Sequence, residues 1–233
     1  MTERFVDAPG AGRPGQLTEA AFATARAHMV DSQVRPNQVN DRRVVEAMRM
    51  LPRERFSPNP ALAYADLDIA LGKGRYMLAP MLMARLAQLV LAGEPEQILV
   101  VGAGTGYGAA LLAACGAEVV ALEEDAELVA PALSQVAPRV QLAIGKLAKG
   151  WPGAGPFDVI LIEGAVTAIP AIFAAQLTPN GRLVTILADG PGPGGIGRAV
   201  VAQAGAHGFA TAKMFDCTAR ILPAFQPAFA FSF

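Results

Sequence analysis

The stretch Gln97-Ile-Leu-Val-Val-Gly-Ala-Gly-Thr-Gly-Tyr-Gly108 decides the fold class of this chain. Residues 98–101 form a short apolar run, which is typical of a strand buried on both faces. The run is followed by Gly102, Gly104 and Gly106, which allow a tight turn and a close approach of the backbone to a ligand. The Ala- and Leu-rich residues after the turn predict a helix. The stretch therefore indicates the strand-turn-helix unit of a nucleotide-binding α/β fold.

The residues after this unit indicate what kind of nucleotide the fold binds. A second apolar strand, residues 119–122, ends on Glu123, roughly 20 residues after the first glycine, where a carboxylate accepts hydrogen bonds from a ribose. A dinucleotide fingerprint, G-x-G-x-x-G, requires a small third residue where this chain has Tyr107. G-x-G-x-G is instead the form found in S-adenosylmethionine (AdoMet) methyltransferases. The pattern favours AdoMet over a nicotinamide dinucleotide, and a turn that binds nothing is the structural alternative.

Composition sets limits on the other function classes. The chain has 233 residues and a formal net charge of −1, so it has no overall field that would attract nucleic acid or an anionic membrane. Its longest apolar runs are shorter than the roughly 20 residues that a membrane span needs. The two cysteines, Cys115 and Cys217, have no metal-ligand spacing, and we expect no metal site. We expect a cytoplasmic protein.

The order of predicted elements gives the domain organisation. Residues 1–17 are predicted to be a Gly- and Pro-rich disordered tail, residues 18–92 an N-terminal helical cap region, and residues 93–233 the methyltransferase core, all within one structural domain. Alternating strands and helices in the core, including a helix at about 126–136, predict a mostly parallel sheet. The last 40 or so residues switch to short β-like runs on either side of His207-Gly208, which predict a terminal antiparallel hairpin.

Many short pieces of the chain, in the same order and spacing, resemble the protein-L-isoaspartate O-methyltransferase family over residues 26–226. The matching pieces are Met29-Val-Asp-Ser-Gln-Val-Arg35, Asp41 to Met48, Leu51-Pro-Arg-Glu-Arg-Phe56, Ala63-Tyr-Ala-Asp66, Gly102 to Tyr107, Gly155-Pro-Phe-Asp158, Ile169-Pro170, Gln176-Leu177, Gly181-Arg-Leu-Val184 and Arg220-Ile-Leu-Pro223. The resemblance implies a seven-stranded Rossmann-like sheet with an N-terminal helical cap over the cofactor cleft. It also implies AdoMet as methyl donor and an isoaspartyl α-carboxylate as acceptor.

Four positions depart from the family pattern at functional places. Leu78 stands where the family has the serine usually assigned to the active site. Val100 replaces a carboxylate before the first glycine, and Lys146 replaces an aspartate that contacts the adenine end of the cofactor. Glu163 follows the fourth core strand, where the family runs through Thr and small residues. We expect Glu163 to point into the cleft and to supply the carboxylate that Val100 and Lys146 lack.

These considerations give a set of candidate site residues. The candidate catalytic positions are Leu78 and Glu163. The candidate cofactor-binding residues are Pro80, Gly102, Gly104, Gly106, Glu123, Glu124, Gly145 and Lys146. We expect an isoaspartyl-containing peptide or another carboxylate as acceptor, no nucleic acid or membrane partner, and a monomer or weak dimer. The alternative is a protein with the family fold that binds AdoMet or S-adenosylhomocysteine (AdoHcy) but methylates another acceptor or is catalytically silent.

Overall fold

The apolar run before the glycines is an inner strand of a seven-stranded sheet in the computed structural model, which describes residues 18–190 and 196–226. The strands are β1 (Ile69–Gly72), β2 (Arg75–Met77), β3 (Gln97–Val101), β4 (Glu118–Glu123), β5 (Gln141–Ile144), β6 (Phe157–Val166), β7 (Leu177–Ala188), β8 (Ile196–Gly205) and β9 (Gly208–Thr218). The helices are α1 (Glu19–Met29), α2 (Arg42–Met50), α3 (Pro80–Leu91), α4 (Tyr107–Ala114) and α5 (Ala132–Val136).

The order of strands in the large sheet is β5-β4-β3-β6-β7-β8-β9. The five strands from β5 to β7 pair in parallel, whereas β8 and β9 add as an antiparallel hairpin. The Rossmann-like, mostly parallel sheet and its terminal hairpin are thereby confirmed. Because β4, β3 and β6 are parallel neighbours, their carboxyl ends lie at one edge of the sheet, where ligands bind in open α/β folds.

The inner strands owe their position to their unbroken apolar sequence. All four residues from Ile98 to Val101 are fully buried, as are residues 159–162 of β6. A strand with apolar side chains on both faces needs a layer of packing on each side. Helices α3 and α4 supply the layer on one face, and the turns that include Phe173 and Phe225 supply it on the other.

The N-terminal cap consists of two capped helices joined by an irregular turn. The side chain of Thr18 accepts a hydrogen bond at the start of α1, and that of Asp41 does so at the start of α2. Helix α1 ends at Met29, and the chain continues as a π-helical turn through Val34. Phe56, just after α2, packs edge-on against Tyr107 of α4 at a ring distance of 5.7 Å and thereby joins the cap to the core.

Two sequence predictions differ from the structure. The helix expected at about 126–136 is a 3₁₀ turn, Ala126–Leu128, followed by the short helix α5. Pro131 lies between the two, and a proline disfavours helical backbone in the residue before it. Glu163, expected to follow the fourth core strand, lies within β6 instead. Residues 69–77 form the small β1–β2 hairpin, with its turn at Lys73-Gly74. The predicted tail, residues 1–17, lies outside the described residues.

Helix α3 lies against β6 and β7, so this part of the predicted cap region packs as part of the core. The guanidinium of Arg182, on β7, donates to the carbonyl of Val90 at 2.8 Å and so ties the end of α3 to the sheet. Within residues 18–190 and 196–226, no helix has the length and apolar character that crossing a bilayer requires.

Docking of α2 on the core gives a stability prediction. Met48 is fully buried, whereas Met50, on the same helix, is 77% exposed. Met48→Ala should lower the free energy of unfolding by roughly 2–5 kcal/mol, because it removes buried methylene and sulfur contacts and leaves a cavity. Met50→Ala, the matched control, should change it by no more than about 0.5 kcal/mol. Urea unfolding followed by circular dichroism measures both, and equal effects would contradict this packing.

Candidate active site

The turn after β3 has the backbone geometry that its glycines allow. Gly102, Gly104 and Gly106 all have left-handed backbone, with φ of 78°, 56° and 90°. Side chains with a Cβ rarely adopt this conformation, so the repeat of small residues is a backbone requirement. Helix α4 begins directly after the turn, at Tyr107.

Glu123 ends β4 beside this turn, and its carboxylate is fully buried. One oxygen accepts hydrogen bonds from the backbone N–H of Glu124 at 2.7 Å and of Asp125 at 3.1 Å. The other accepts from the backbone N–H of Gly104 at 2.7 Å. These three bonds orient the carboxylate at the place where the sequence predicts a ribose-binding group.

The same carboxylate forms a two-pronged ion pair with Arg75, a residue of β2. The Arg75 Nη1 and Nη2 atoms lie 2.7 and 2.9 Å from the two oxygens of Glu123. Nη2 also donates to the carbonyl of Gly102 at 2.9 Å, and the Arg75 side chain is only 8% exposed. Arg75 therefore connects the small hairpin to both the glycine turn and the predicted ribose ligand.

Other side chains of the same protein lie over the glycine turn. A Cβ added to Gly102 would come within 3.1 Å of Leu222, and one added to Gly104 would come within 3.1 Å of Leu71. Leu222 also packs on Gly164, where an added Cβ would lie 2.6 Å from its Cγ. The β1–β2 hairpin and the segment after β9 thus cover the face of the turn on which a nucleotide would lie.

This closed arrangement does not fit the cofactor that the sequence implies. A ribose diol binds a carboxylate by donating two hydrogen bonds to its oxygens. A carboxylate has about four lone-pair positions, and Glu123 already accepts five hydrogen bonds, two of them from Arg75. No acceptor position is free for a ribose until Arg75 moves away.

Glu163 is the second buried carboxyl group of the site. It is 7% exposed, and within residues 18–190 and 196–226 its Oε2 atom has no hydrogen-bond partner. Burial raises the pKa of Glu163 to about 8, although Arg75 and Arg53 oppose the rise. The group is therefore mostly uncharged at pH 7, so in this arrangement it does not supply the compensating negative charge that we expected of it.

Arg53 and Tyr107 complete the buried cluster. Arg53 is fully buried, and its Nε and Nη2 donate to the carbonyls of Ala63 at 2.7 Å and Leu78 at 2.6 Å. Its guanidinium lies 4.6 Å from the centre of the Tyr107 ring. In the part of the chain that the structure describes, Arg53 Nη1 and the Tyr107 hydroxyl have no hydrogen-bond partner, so the cluster holds unused donors beside Leu78.

The remaining candidate residues occupy varied positions. Leu78 is 3% exposed and lies in the apolar core, two residues before Pro80, the first residue of α3. Lys146 extends into water with 73% of its side chain exposed, and its Nζ pairs with Glu124 at 2.6 Å. Gly145 packs against the ring of Trp151, where an added Cβ would lie 2.9 Å from the indole. The structure thus groups Glu123, Glu163 and the glycines, while Lys146 lies at the rim.

Sequence reasoning missed Arg75 and Arg53. Arg53 lies in the segment Leu51-Pro-Arg-Glu-Arg-Phe56, where its neighbour Arg55 is exposed, and nothing in the local pattern distinguishes the two. Arg75 reaches Glu123 only because the hairpin folds over a strand 48 residues further along the chain. Glycines on either side of Lys73 were the available signal for the hairpin.

Comparisons with known proteins agree on one family. The family model described as "Protein-L-isoaspartate(D-aspartate) O-methyltransferase" matches residues 24–190. The chain is 40% identical to a protein-L-isoaspartate O-methyltransferase of Methylorubrum extorquens over 74% of this chain and 77% of the relative. It is 38% identical to protein-L-isoaspartate O-methyltransferase 2 of an Anaeromyxobacter species, over 69% of each chain.

Solved structures agree on the fold. A protein-L-isoaspartate O-methyltransferase structure superposes with a TM-score of 0.71 at 21% identity, over 86% of this chain and 67% of the other. The putative enzyme from Plasmodium falciparum, in complex with S-adenosyl-L-homocysteine, superposes with a TM-score of 0.69 at 18% identity, over 85% and 98% of the two chains. At these identities the likeness concerns the fold.

The raised pKa of Glu163 predicts a pH-dependent contribution to stability. The folded chain holds a proton on Glu163 up to about pH 8, whereas the unfolded chain releases it near the ordinary value of 4.5. Stability is therefore fully present below pH 4.5 and falls as pH rises through 8, by at most ~1.4 kcal/mol per pH unit. Glu163→Gln removes this titrating group, so the free energy of unfolding should decline less steeply as pH rises.

Urea unfolding between pH 5 and pH 8 measures this difference. The unfolding free energy of Glu163→Gln should rise relative to that of the native chain as pH increases. Glu118→Gln, a change at an exposed residue, should follow the native profile. Parallel profiles for Glu163→Gln and the native chain would show that Glu163 is ionised in the folded state.

Proposed function

Because the chain belongs to the protein-L-isoaspartate (D-aspartate) O-methyltransferase family, we propose that it is an AdoMet-dependent enzyme that methylates the carboxylate of an isoaspartyl-containing peptide. The observation that carries this proposal is the pairing of the glycine turn, residues 102–106, with Glu123 at the carboxyl end of β4. This is the position of the ribose ligand in nucleotide-binding α/β folds.

Methyl transfer to a carboxylate requires little from the protein beyond alignment of the reacting groups. A carboxylate acceptor is already ionised near pH 7, so no general base is needed. Catalysis then consists mainly of holding the acceptor oxygen, the methyl group and the leaving sulfur in line. In this chain, Leu78 cannot donate a hydrogen bond to the acceptor from its side chain. The uncharged acid of Glu163 and the free donors of Arg53 and Tyr107 lie in the same cluster.

A second function is favoured by the Arg75–Glu123 ion pair. If Arg75 never leaves Glu123, the protein keeps the family fold without using the cofactor, and it would be catalytically silent. The ion pair is buried and two-pronged, and breaking such a pair by removing one partner typically costs ~3–5 kcal/mol. AdoMet binding that has to break this pair without compensation would be correspondingly weak.

The finer expectations about partners and location belong to the same proposal. With a net charge of −1, the protein has no overall attraction for the phosphates of nucleic acid, which supports the absence of a nucleic-acid partner. We propose a monomer or weak dimer in the cytoplasm, acting on peptides that carry an isoaspartyl carboxylate.

Replacement of the family's serine by Leu78 predicts slow methylation. The native chain should methylate an isoaspartyl peptide well below the ~10 s⁻¹ that is typical of enzymes, because no hydroxyl orients the acceptor. Leu78→Ser should be faster than Leu78→Ala, which opens a similar cavity without the hydroxyl. Transfer of a labelled methyl group, corrected for the folded fraction, measures all three rates.

The matching aspartyl peptide serves as the substrate control. No methyl transfer to the isoaspartyl peptide by any of the three proteins would favour the silent alternative. A native kcat near 10 s⁻¹, or equal rates for Leu78→Ser and Leu78→Ala, would contradict the role given to the hydroxyl.

A further inference from the structure

We propose that Arg75 is a built-in competitor of the cofactor, which holds Glu123 in the closed protein and transfers to Glu163 when a ribose takes its place. The proposal rests on the proposed function, because it assumes that a nucleoside such as AdoMet or AdoHcy binds Glu123. It assigns Arg75 and Glu163 as positioning residues that regulate access to the site.

The first support is that Arg75 makes the contacts a bound ribose would make. Its two terminal nitrogens engage both oxygens of Glu123, at 2.7 and 2.9 Å, in a buried setting. Two hydroxyl groups of a ribose donate to the same two oxygens. Since the backbone of Gly104, Glu124 and Asp125 fills the other acceptor positions, the guanidinium and the ribose cannot bind Glu123 together.

The second support is that another buried carboxyl group, that of Glu163, belongs to the same site. Glu163 Oε2 and Arg75 Nε are both buried, and neither has a hydrogen-bond partner among the described residues. Buried polar atoms without partners are uncommon in proteins. Val101 pairs with Ile162 across β3 and β6, so Glu163 follows beside Gly102, whose carbonyl accepts a hydrogen bond from Arg75. Arg75 thus lies within the electrostatic reach of two carboxyl groups and is bonded to one.

The third support is that a transfer avoids an unpaired buried charge. A guanidinium that simply left Glu123 inside the protein would lose its partner, which is strongly unfavourable. At Glu163 it meets an acid group that becomes a carboxylate by releasing its proton to solvent. One ion pair is exchanged for another and one proton leaves, so the net charge of the site falls by one unit, while Glu123 keeps its three backbone N–H donors and gains the ribose hydroxyls.

The fourth support is that the tip of the hairpin, next to Arg75, is attached through exposed side chains, although Ile69 and Met77 at its base are buried in the core. Among the described residues, β1 and β2 pair with each other alone, with an irregular register near Gly72. The tip is attached by ion pairs of Lys73 with Asp125 and Glu127. Lys73 is 64% exposed, and surface pairs of this kind add little stability.

The proton gives this mechanism a distinctive signature. Glu163 is protonated in the closed chain, with a pKa raised to about 8, and the arrival of Arg75 lowers that pKa. Besides Arg75, the charged groups that act on Glu163 are Arg53 and Glu123. Binding should therefore release close to one proton at pH 7. Affinity should rise with pH up to about 8 and then level off.

Isothermal titration calorimetry with AdoHcy tests the proposal. Titrations of the full chain at pH 7, in two buffers of different ionisation enthalpy, count the released protons. The native chain should release close to one. Arg75→Gln should bind AdoHcy at least tenfold more tightly and release none, because no cation moves to Glu163. Glu163→Gln should also release none and should bind more weakly than the native chain at pH 8.

Lys73→Gln is the matched control on the same hairpin. It should retain the proton release and bind AdoHcy within about threefold of native, because it removes only surface pairs. Melting curves check that each variant is folded. Should Arg75→Gln fail to fold, Arg75→Lys takes its place. Lysine keeps the charge but loses the two-pronged geometry. The Arg75→Lys variant should therefore bind AdoHcy more tightly than the native chain does.

The outcomes separate the inference from the proposed function. Tight native binding without proton release, and unchanged by Arg75→Gln, would overturn the inference and leave the proposed function intact. Binding by Arg75→Gln but not by the native chain would support Arg75 as the block and reject cofactor use by the native protein. No binding by any folded variant would reject both.

Discussion

The buried ion pair between Arg75 and Glu123 is the contact on which the arrangement of this site depends. It joins the β1–β2 hairpin to the end of β4, and through the carbonyl of Gly102 it also holds the glycine turn. A buried carboxylate needs a partner or neutralisation, and Glu123 has a cation and three backbone donors. The carboxylate that we expect to bind a ribose therefore already has its hydrogen-bond donors from the protein itself.

The two carboxyl groups of the site differ because their partners differ. Glu123 accepts hydrogen bonds from the Arg75 guanidinium and from backbone N–H groups. Glu163 lies near Arg75 and Arg53, but no group of the described residues donates to its Oε2, and burial raises its pKa. One arginine between an ionised and a protonated acid is an arrangement that can exist in two states. Family membership and a closed cofactor site are then compatible.

The sequence predicted those features that local patterns determine. The strand-turn-helix at residues 97–108, the parallel sheet and the terminal hairpin follow from apolar runs and glycine spacing. The prediction of a single helix at about 126–136 was wrong because Pro131 interrupts the helical backbone. The ion pair of Arg75 could not be predicted, because it depends on a contact between distant segments. Glu163 was expected to point inward, but the burial that raises its pKa depends on the packing around it. From the sequence alone, a charged residue beside a glycine turn is expected to be exposed to solvent, and only the fold shows whether a partner is packed against it.

A crystal structure of the full chain grown with saturating AdoHcy tests the central claim most directly. The account predicts that the ribose hydroxyls lie on the Glu123 oxygens and that the Arg75 guanidinium has moved from Glu123 to Glu163. AdoHcy bound in the cleft with both Arg75–Glu123 hydrogen bonds intact, at their present 2.7 and 2.9 Å, would contradict it.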